Sequence, residues 1–151
     1  MSKKTAVIGL GNTLMADEGV GVKVVKELKK QALPPNVEVY EAGTPGLFLI
    51  SLIEGFDKVI LVDAVELKGP PGTIYRLSFE EGLFETSSPT SMHEIDAITA
   101  LKIAKHTGKL PREVVIVGIE PKVVELGEGL SPEVEAAIPK AVKLLLNELK
   151  T

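Results

Sequence analysis

The chain has 151 residues, a formal net charge of −4, two histidines, and neither cysteine nor tryptophan. Its length suits one domain, residues 1–151, able to bury about two-thirds of its unfolded surface. The missing cysteines exclude a disulfide scaffold, a thiolate zinc site, an iron–sulfur centre and a cysteine nucleophile. Any chemistry that needs imidazole must come from His93 or His106.

The chain runs in order as follows. MSKKTAVIGLGN begins basic, but its apolar run stops at Asn12 without a small-residue cleavage site, so it reads as a buried first strand, Thr5 to Leu10, and not a signal peptide. Val20 to Lys30 repeats apolar residues at Val22, Val25 and Leu28 and is expected to be helical. Val37 to Glu41 is short and β-branched, a second strand. Leu47 to Glu54 is expected as a helix, with Thr44 as N-cap and Pro45 as first helical residue. Lys58 to Val65 is a third strand, apolar throughout except Asp63 once Lys58 is passed. Gly72 to Leu77 alternates, carries Arg76 and suits a sheet edge.

Ser78 to Thr90 is the longest stretch without a pattern, and such loops are often functional. Ser91 and Glu94 form a capping-box pattern for a helix continued by Ala97, Leu101 and Ala104 to about His106 and ended by Gly108. Glu113 to Ile119 is a further buried strand. Ser131, Pro132 and Glu133 open a last helix running to about Leu149, in which Pro139 predicts a kink. Apolar strands alternating with helices indicate one α/β domain, a largely parallel sheet with helices on both faces.

Composition narrows the partners. Lys23, Lys26, Lys29, Lys30, Lys140 and Lys143 are spread along helices among acids, and aromatic residues are only 4% of the chain, too few for base-stacking platforms. No nucleic-acid partner is expected. The longest apolar stretch, Leu47 to Ile53, is far short of the roughly 20 residues a membrane span needs. No membrane association is expected, and the location is expected to be cytoplasmic.

Open parallel sheets bind ligands at the carboxyl ends of their strands. Three features map there. Gly9 and Gly11 close the first strand and invite a dinucleotide fingerprint, but its third glycine position is Leu14, and Asp17 and Glu18 follow where a pyrophosphate would be repelled. Asp63 ends an apolar run and must be paired, exposed at the strand end, or bound to a metal. His93, two residues after Ser91, stands in the first helical turn, where the helix dipole favours neutral imidazole available as a metal ligand. His106, near the same helix's C-terminus, better suits a structural role as a dipole-stabilising cation. Glu18 or Asp17, with Asp63 and His93, could form a site of two carboxylates and one imidazole, a donor set suited to borderline divalent metals such as nickel.

The segments VIGLGNTLMADEGVGVKVVKEL, EAGTPG, VILVDAVELKGPPGTIYRL, SMHEIDAITALKIAKHTGKLP, and VVIVGIEP with LGEGLSPEVEAAIPKAV resemble, in this order and over nearly the whole chain, the nickel–iron hydrogenase maturation endopeptidases. The resemblance implies a three-layer α/β/α sandwich around a twisted, mostly parallel five-stranded sheet, of the phosphorylase/hydrolase-like kind. It implies removal of a C-terminal peptide from the precursor of a hydrogenase large subunit after nickel insertion. The nickel would be supplied by the substrate, with no tightly bound cofactor of the chain's own. The implied metal-contacting and catalytic residues are Glu18, Asp63 and His93, with Asp17 as the fallback acid. Gly43, Thr44 and Gly46 match a loop that would help accept the substrate tail. Members commonly carry a glycine a few residues after the histidine, where this chain has Glu94-Ile95-Asp96, so which hydrogenase is processed stays open. The rival readings are a nucleotide- or metabolite-binding α/β domain without peptidase activity, and a peptidase with resident zinc. The chain lacks the H-E-x-x-H pattern.

Overall fold

Apolar continuity and alternation place the strands β1 (Thr5–Leu10), β2 (Val37–Gly43), β3 (Lys58–Ala64), β4 (Ile74–Ser78) and β5 (Glu113–Ile119). The structure, a computed structural model, describes residues 3–79 and 92–150, apart from the side chains of 92–96. The Ser91–Glu94 cap and nearly all of the loop from Ser78 to Thr90 lie outside the described residues. The strands form one sheet in the order β2-β1-β3-β5-β4. The first four run parallel, and β4 pairs antiparallel with β5 at the edge.

Among the described residues the α-helices are α1 (Val20–Leu28), α2 (Leu49–Ile53), α3 (Met92–His106) and α4 (Pro132–Glu148). Successive strand residues point to opposite faces, so one alternation feeds two cores. Val7, Ile60, Val62, Val115 and Val117 pack beneath Val24, Leu28, Ala141 and Leu145 of α1 and α4. Ala6, Ile8, Val59, Leu61 and Ile116 pack beneath Leu49, Ile53, Leu101 and Ala104 of α2 and α3. The result is a three-layer α/β/α sandwich. Central β1 and β3 are buried throughout, whereas edge strands β2 and β4 are half-exposed, as the alternating sequence around Arg76 requires.

Two elements differ from expectation. The helix expected over Leu47–Glu54 is a 3-10 turn, Gly46–Phe48, followed by five α-helical residues, and no side chain caps either piece. Gly46 has φ +59°, outside the right-handed region, so a helix starting from Thr44 and Pro45 cannot form there. β2 extends two residues past Glu41 because a register shift after Gly9 lets Leu10 pair with Gly43. Pro139 lies inside α4, and α4 is helical on both sides of it. Pro139 and Glu135, whose carbonyl the ring deprives of a helical donor, are both exposed. Among the described residues, no helix is long and apolar enough to cross a membrane.

At the amino edge of the sheet, the nearly buried Lys58 Nζ lies 2.6 Å from Glu148 Oε2, and Arg76 holds the same carboxylate through Nε at 2.7 Å and Nη2 at 2.8 Å. This ion cluster ties β3 and β4 to the end of α4. The carboxyl edge is built differently.

Candidate active site

Between β1 and α1 the chain makes a 3-10 turn, Ala16–Gly19, that carries Asp17 and Glu18. The glycines around this turn allow close packing. A Cβ on Gly9 would lie 2.5 Å from Val25 Cγ2 and 2.7 Å from the Gly21 carbonyl oxygen; one on Gly21 would lie 2.1 Å from the Val62 carbonyl oxygen. At Gly11, with φ +120°, a Cβ would lie 1.9 Å from the Glu18 carbonyl oxygen and 3.6 Å from Asp63 Oδ1. At Gly11, where the second glycine of a dinucleotide fingerprint lets pyrophosphate approach, the Glu18 main chain lies instead. The same crowding brings the Glu18 main chain and the Asp63 carboxylate to Gly11.

Glu18 is 8% exposed and Asp63 5%, although both are acids. Asp63 is the penultimate residue of β3, and by alternation with Val59 and Leu61 it faces the α2–α3 layer. Its Oδ1 accepts a 2.8 Å hydrogen bond from the Ala64 amide. α3 packs on α2 and on the Gly46–Phe48 turn, which follows the carboxyl end of β2. The first turn of α3, carrying His93, therefore stands toward the same edge of the sheet. The His93 side chain lies outside the described residues. Among the described residues no three His, Asp or Glu side chains are placed to hold a metal ion. His106 stands with Lys105 in the last turn of α3.

Asp17 has a different setting from its neighbour. It is fully buried, and its carboxylate accepts four hydrogen bonds. Oδ2 takes the amides of Lys122 at 2.9 Å and Val123 at 2.8 Å and the Ser131 hydroxyl at 2.8 Å, and Oδ1 takes the Ser131 amide at 2.7 Å. Burial pushes this carboxyl up, but the Ser131, Val123 and Lys122 amides with the Ser131 hydroxyl outweigh it and hold the group below its ordinary value. Ser131 is the N-cap of α4, yet its hydroxyl caps no helix amide because it is turned to Asp17. With its acceptor sites taken, Asp17 joins the turn to the segment 122–131 and is poorly placed to bind a metal or substrate.

Gly43, Thr44 and Gly46 lie at and just past the carboxyl end of β2. The Gly11 amide donates to the Gly43 carbonyl at 2.8 Å, and a Cβ on Gly46 would meet nothing within 4 Å beyond its chain neighbours. Glu120 is an acid that sequence reasoning leaves unassigned, although it closes an apolar strand as Asp63 does. It is buried, and its Oε1 accepts from the Leu67 amide at 2.9 Å, the Gly69 amide at 3.1 Å and the Tyr75 hydroxyl at 2.8 Å. Burial, and then the Glu120 carboxylate, push the Tyr75 hydroxyl above its ordinary value. Glu120 thus organises the loop after β3.

Comparison with known proteins places the chain in a family. The family model for the hydrogenase maturation protease HycI matches residues 22–148. The hydrogenase 2 maturation protease of Escherichia coli (strain K12) is 35% identical over 146 residues, covering 95% of this chain and 89% of that protein. The structure of the hydrogenase maturating endopeptidase HybD from E. coli superimposes with a TM-score of 0.89 at 34% identity, covering 97% of this chain and 92% of that one. The crystal structure of a hydrogenase 2 maturation peptidase from a Thaumarchaeota archaeon is 40% identical with a TM-score of 0.76, covering 97% and 98%. Sequence, fold and coverage agree over nearly the whole length: the chain belongs to the hydrogenase maturation protease family and is a hydrolase of the peptidase class.

Proposed function

We propose that the protein is an endopeptidase that removes a C-terminal peptide from the nickel-loaded precursor of a nickel–iron hydrogenase large subunit. The observation that carries this reading is the pair of buried acids, Glu18 and Asp63, gathered at one edge of the sheet in a chain whose relatives are hydrogenase maturation proteases. Nickel is part of the substrate, and the protein needs no tightly bound cofactor of its own. Glu18, Asp63 and the imidazole of His93 contact the nickel of the precursor, and this sets the scissile bond beside the acids, supplying proximity and orientation. A carboxylate then serves as general base toward the attacking water. The Gly43–Gly46 segment receives the chain end to be cut. The cytoplasm, where nickel-loaded precursors would be met before export or assembly, is the proposed place of action.

The test mixes the protein with nickel-loaded and nickel-free precursors and weighs the products. Only the loaded precursor should lose its C-terminal peptide, and His93→Ala should slow that cleavage at least about 100-fold. Cleavage of nickel-free precursor at an undiminished rate would overturn the proposal.

A further inference from the structure

Seven large apolar side chains are exposed among the described residues, and six stand on segments that follow the carboxyl ends of parallel strands. They are Leu14 after β1, Leu47 and Phe48 after β2, Leu67 after β3, and Val124 and Leu126 after β5. Exposed apolar groups scattered singly need no explanation, but a concentration at one edge marks an interaction surface. These six surround the edge that holds Glu18 and Asp63.

Their exposure is built into the backbone. Met15 and Gly127 form an isolated parallel bridge. The Gly127 amide donates to the Leu14 carbonyl at 2.8 Å, the Ala16 amide to the Gly127 carbonyl at 2.8 Å, and the Asp17 amide to the Val123 carbonyl at 3.0 Å. The Asp17 carboxylate takes the Lys122 and Val123 amides beside them. A loose loop would fold its leucines onto the protein; this one is held on both sides of Leu126. Leu126 is 83% exposed and Leu14, beside the same bridge, 53%.

We propose that this rim is the docking surface for a folded protein substrate that presents an apolar patch around the base of its projecting chain end. The inference rests on the peptidase reading above. Glu18 and Asp63 are too buried to touch a flat surface, so only a projecting segment reaches them, and the body it projects from must lie over the rim. The flanking charges argue against a lipid occupant, because Leu126 stands between Glu125 and Glu128, which an anionic membrane repels. The rim selects for a folded precursor over a loose peptide, with affinity coming from leucines that take no part in cleavage.

The experiment compares wild type with the double variant Leu14→Ser/Leu126→Ser, using Ile103→Ser on α3 as an exposed control outside the rim. Binding of fluorescently labelled nickel-loaded precursor, and KM and kcat for its processing, are measured with thermal melting and sedimentation. Binding and KM of the double variant should weaken about tenfold or more. Its kcat and melting temperature should be unchanged, and the control should match wild type. Unchanged binding in the double variant overturns the proposal. So does a wild-type dimer that the substitutions dissociate, binding of wild type to anionic vesicles through these leucines, or failure of wild type to bind the precursor. Wild type that binds the precursor through the rim without cutting it upholds the docking surface and overturns the peptidase reading instead.

Discussion

Asp17 and Glu18 are adjacent in one 3-10 turn, and replacing each tests a different property. Asp17→Asn puts an NH2 group against donors that need acceptors, among them the Lys122, Val123 and Ser131 amides. An unsatisfied buried donor costs about 1–3 kcal/mol, so a loss of about 3 kcal/mol in urea unfolding is expected. Glu18→Gln keeps the shape and removes the charge. It should lower processing of nickel-loaded precursor at least about 100-fold while stability stays within about 1 kcal/mol of wild type. If Asp17→Asn kept full stability but lost activity, the two assignments would be reversed. The pairing of these roles was only half legible in sequence. Two neighbouring acids in a loop look equivalent until the partners of one, 105 to 114 residues away, are in place.

At the scale of elements, α1 is set by its contact with the sheet. A Cβ on Gly21 would press on the carbonyl oxygens of Val62 at 2.1 Å and Leu10 at 2.5 Å, which belong to two different strands. Alanine gains about 1 kcal/mol over glycine in a helix interior, but overpacking against backbone costs about 1–3 kcal/mol or more. Because neither strand can yield, the second effect wins. Gly21→Ala should lower stability by about 2 kcal/mol in a denaturant titration, and by moving the start of α1 it should also reduce processing. A stabilised variant would show that α1 can shift freely. Helix α2 carries the opposite lesson. Leu47–Glu54 has the composition of a helix, yet Gly46 at φ +59° makes the chain enter through a 3-10 turn, leaving Leu47 and Phe48 exposed. Apolar periodicity reports which residues favour a helix and says little about the backbone geometry at its first turn.

Across the whole molecule, the two edges of the sheet divide the work. The amino edge is locked by Lys58, Arg76 and Glu148. The hydrogen bonds from Arg76 lead a set of causes that hold the Glu148 carboxyl at about 2 against its ordinary 4.5: burial opposes them, and the Lys58 ammonium adds to them. A carboxyl lowered on folding stabilises the protein fully above its unfolded value and loses that contribution as pH falls through its folded one. The cluster should therefore contribute about 2 kcal/mol at neutral pH, allowing for partial solvent screening, and lose it between about pH 4.5 and 2. Glu148→Gln should be less stable by that amount at pH 7, and its stability should fall less steeply over the acid range. Equal acid profiles for wild type and variant, followed by circular dichroism, would contradict this. The carboxyl edge instead gathers buried acids and exposed leucines, the features a site needs and a core avoids.

The sequence by itself determined the sheet and its layers, because runs such as Thr5–Leu10, Lys58–Ala64 and Glu113–Ile119 can be satisfied only by burial on both faces. It also determined the family, through segments spread along the chain, and it singled out Asp63 as an acid ending an apolar strand. Only the tertiary structure decided that Asp17 is consumed by the segment 122–131, that Glu120 organises the loop after β3, and that six exposed apolar side chains collect at one edge. These are contacts between residues far apart in sequence. Local propensity reads the backbone a few residues at a time, whereas hydrogen bonds across 105 or more residues exist only once the parallel sheet has brought its carboxyl ends together.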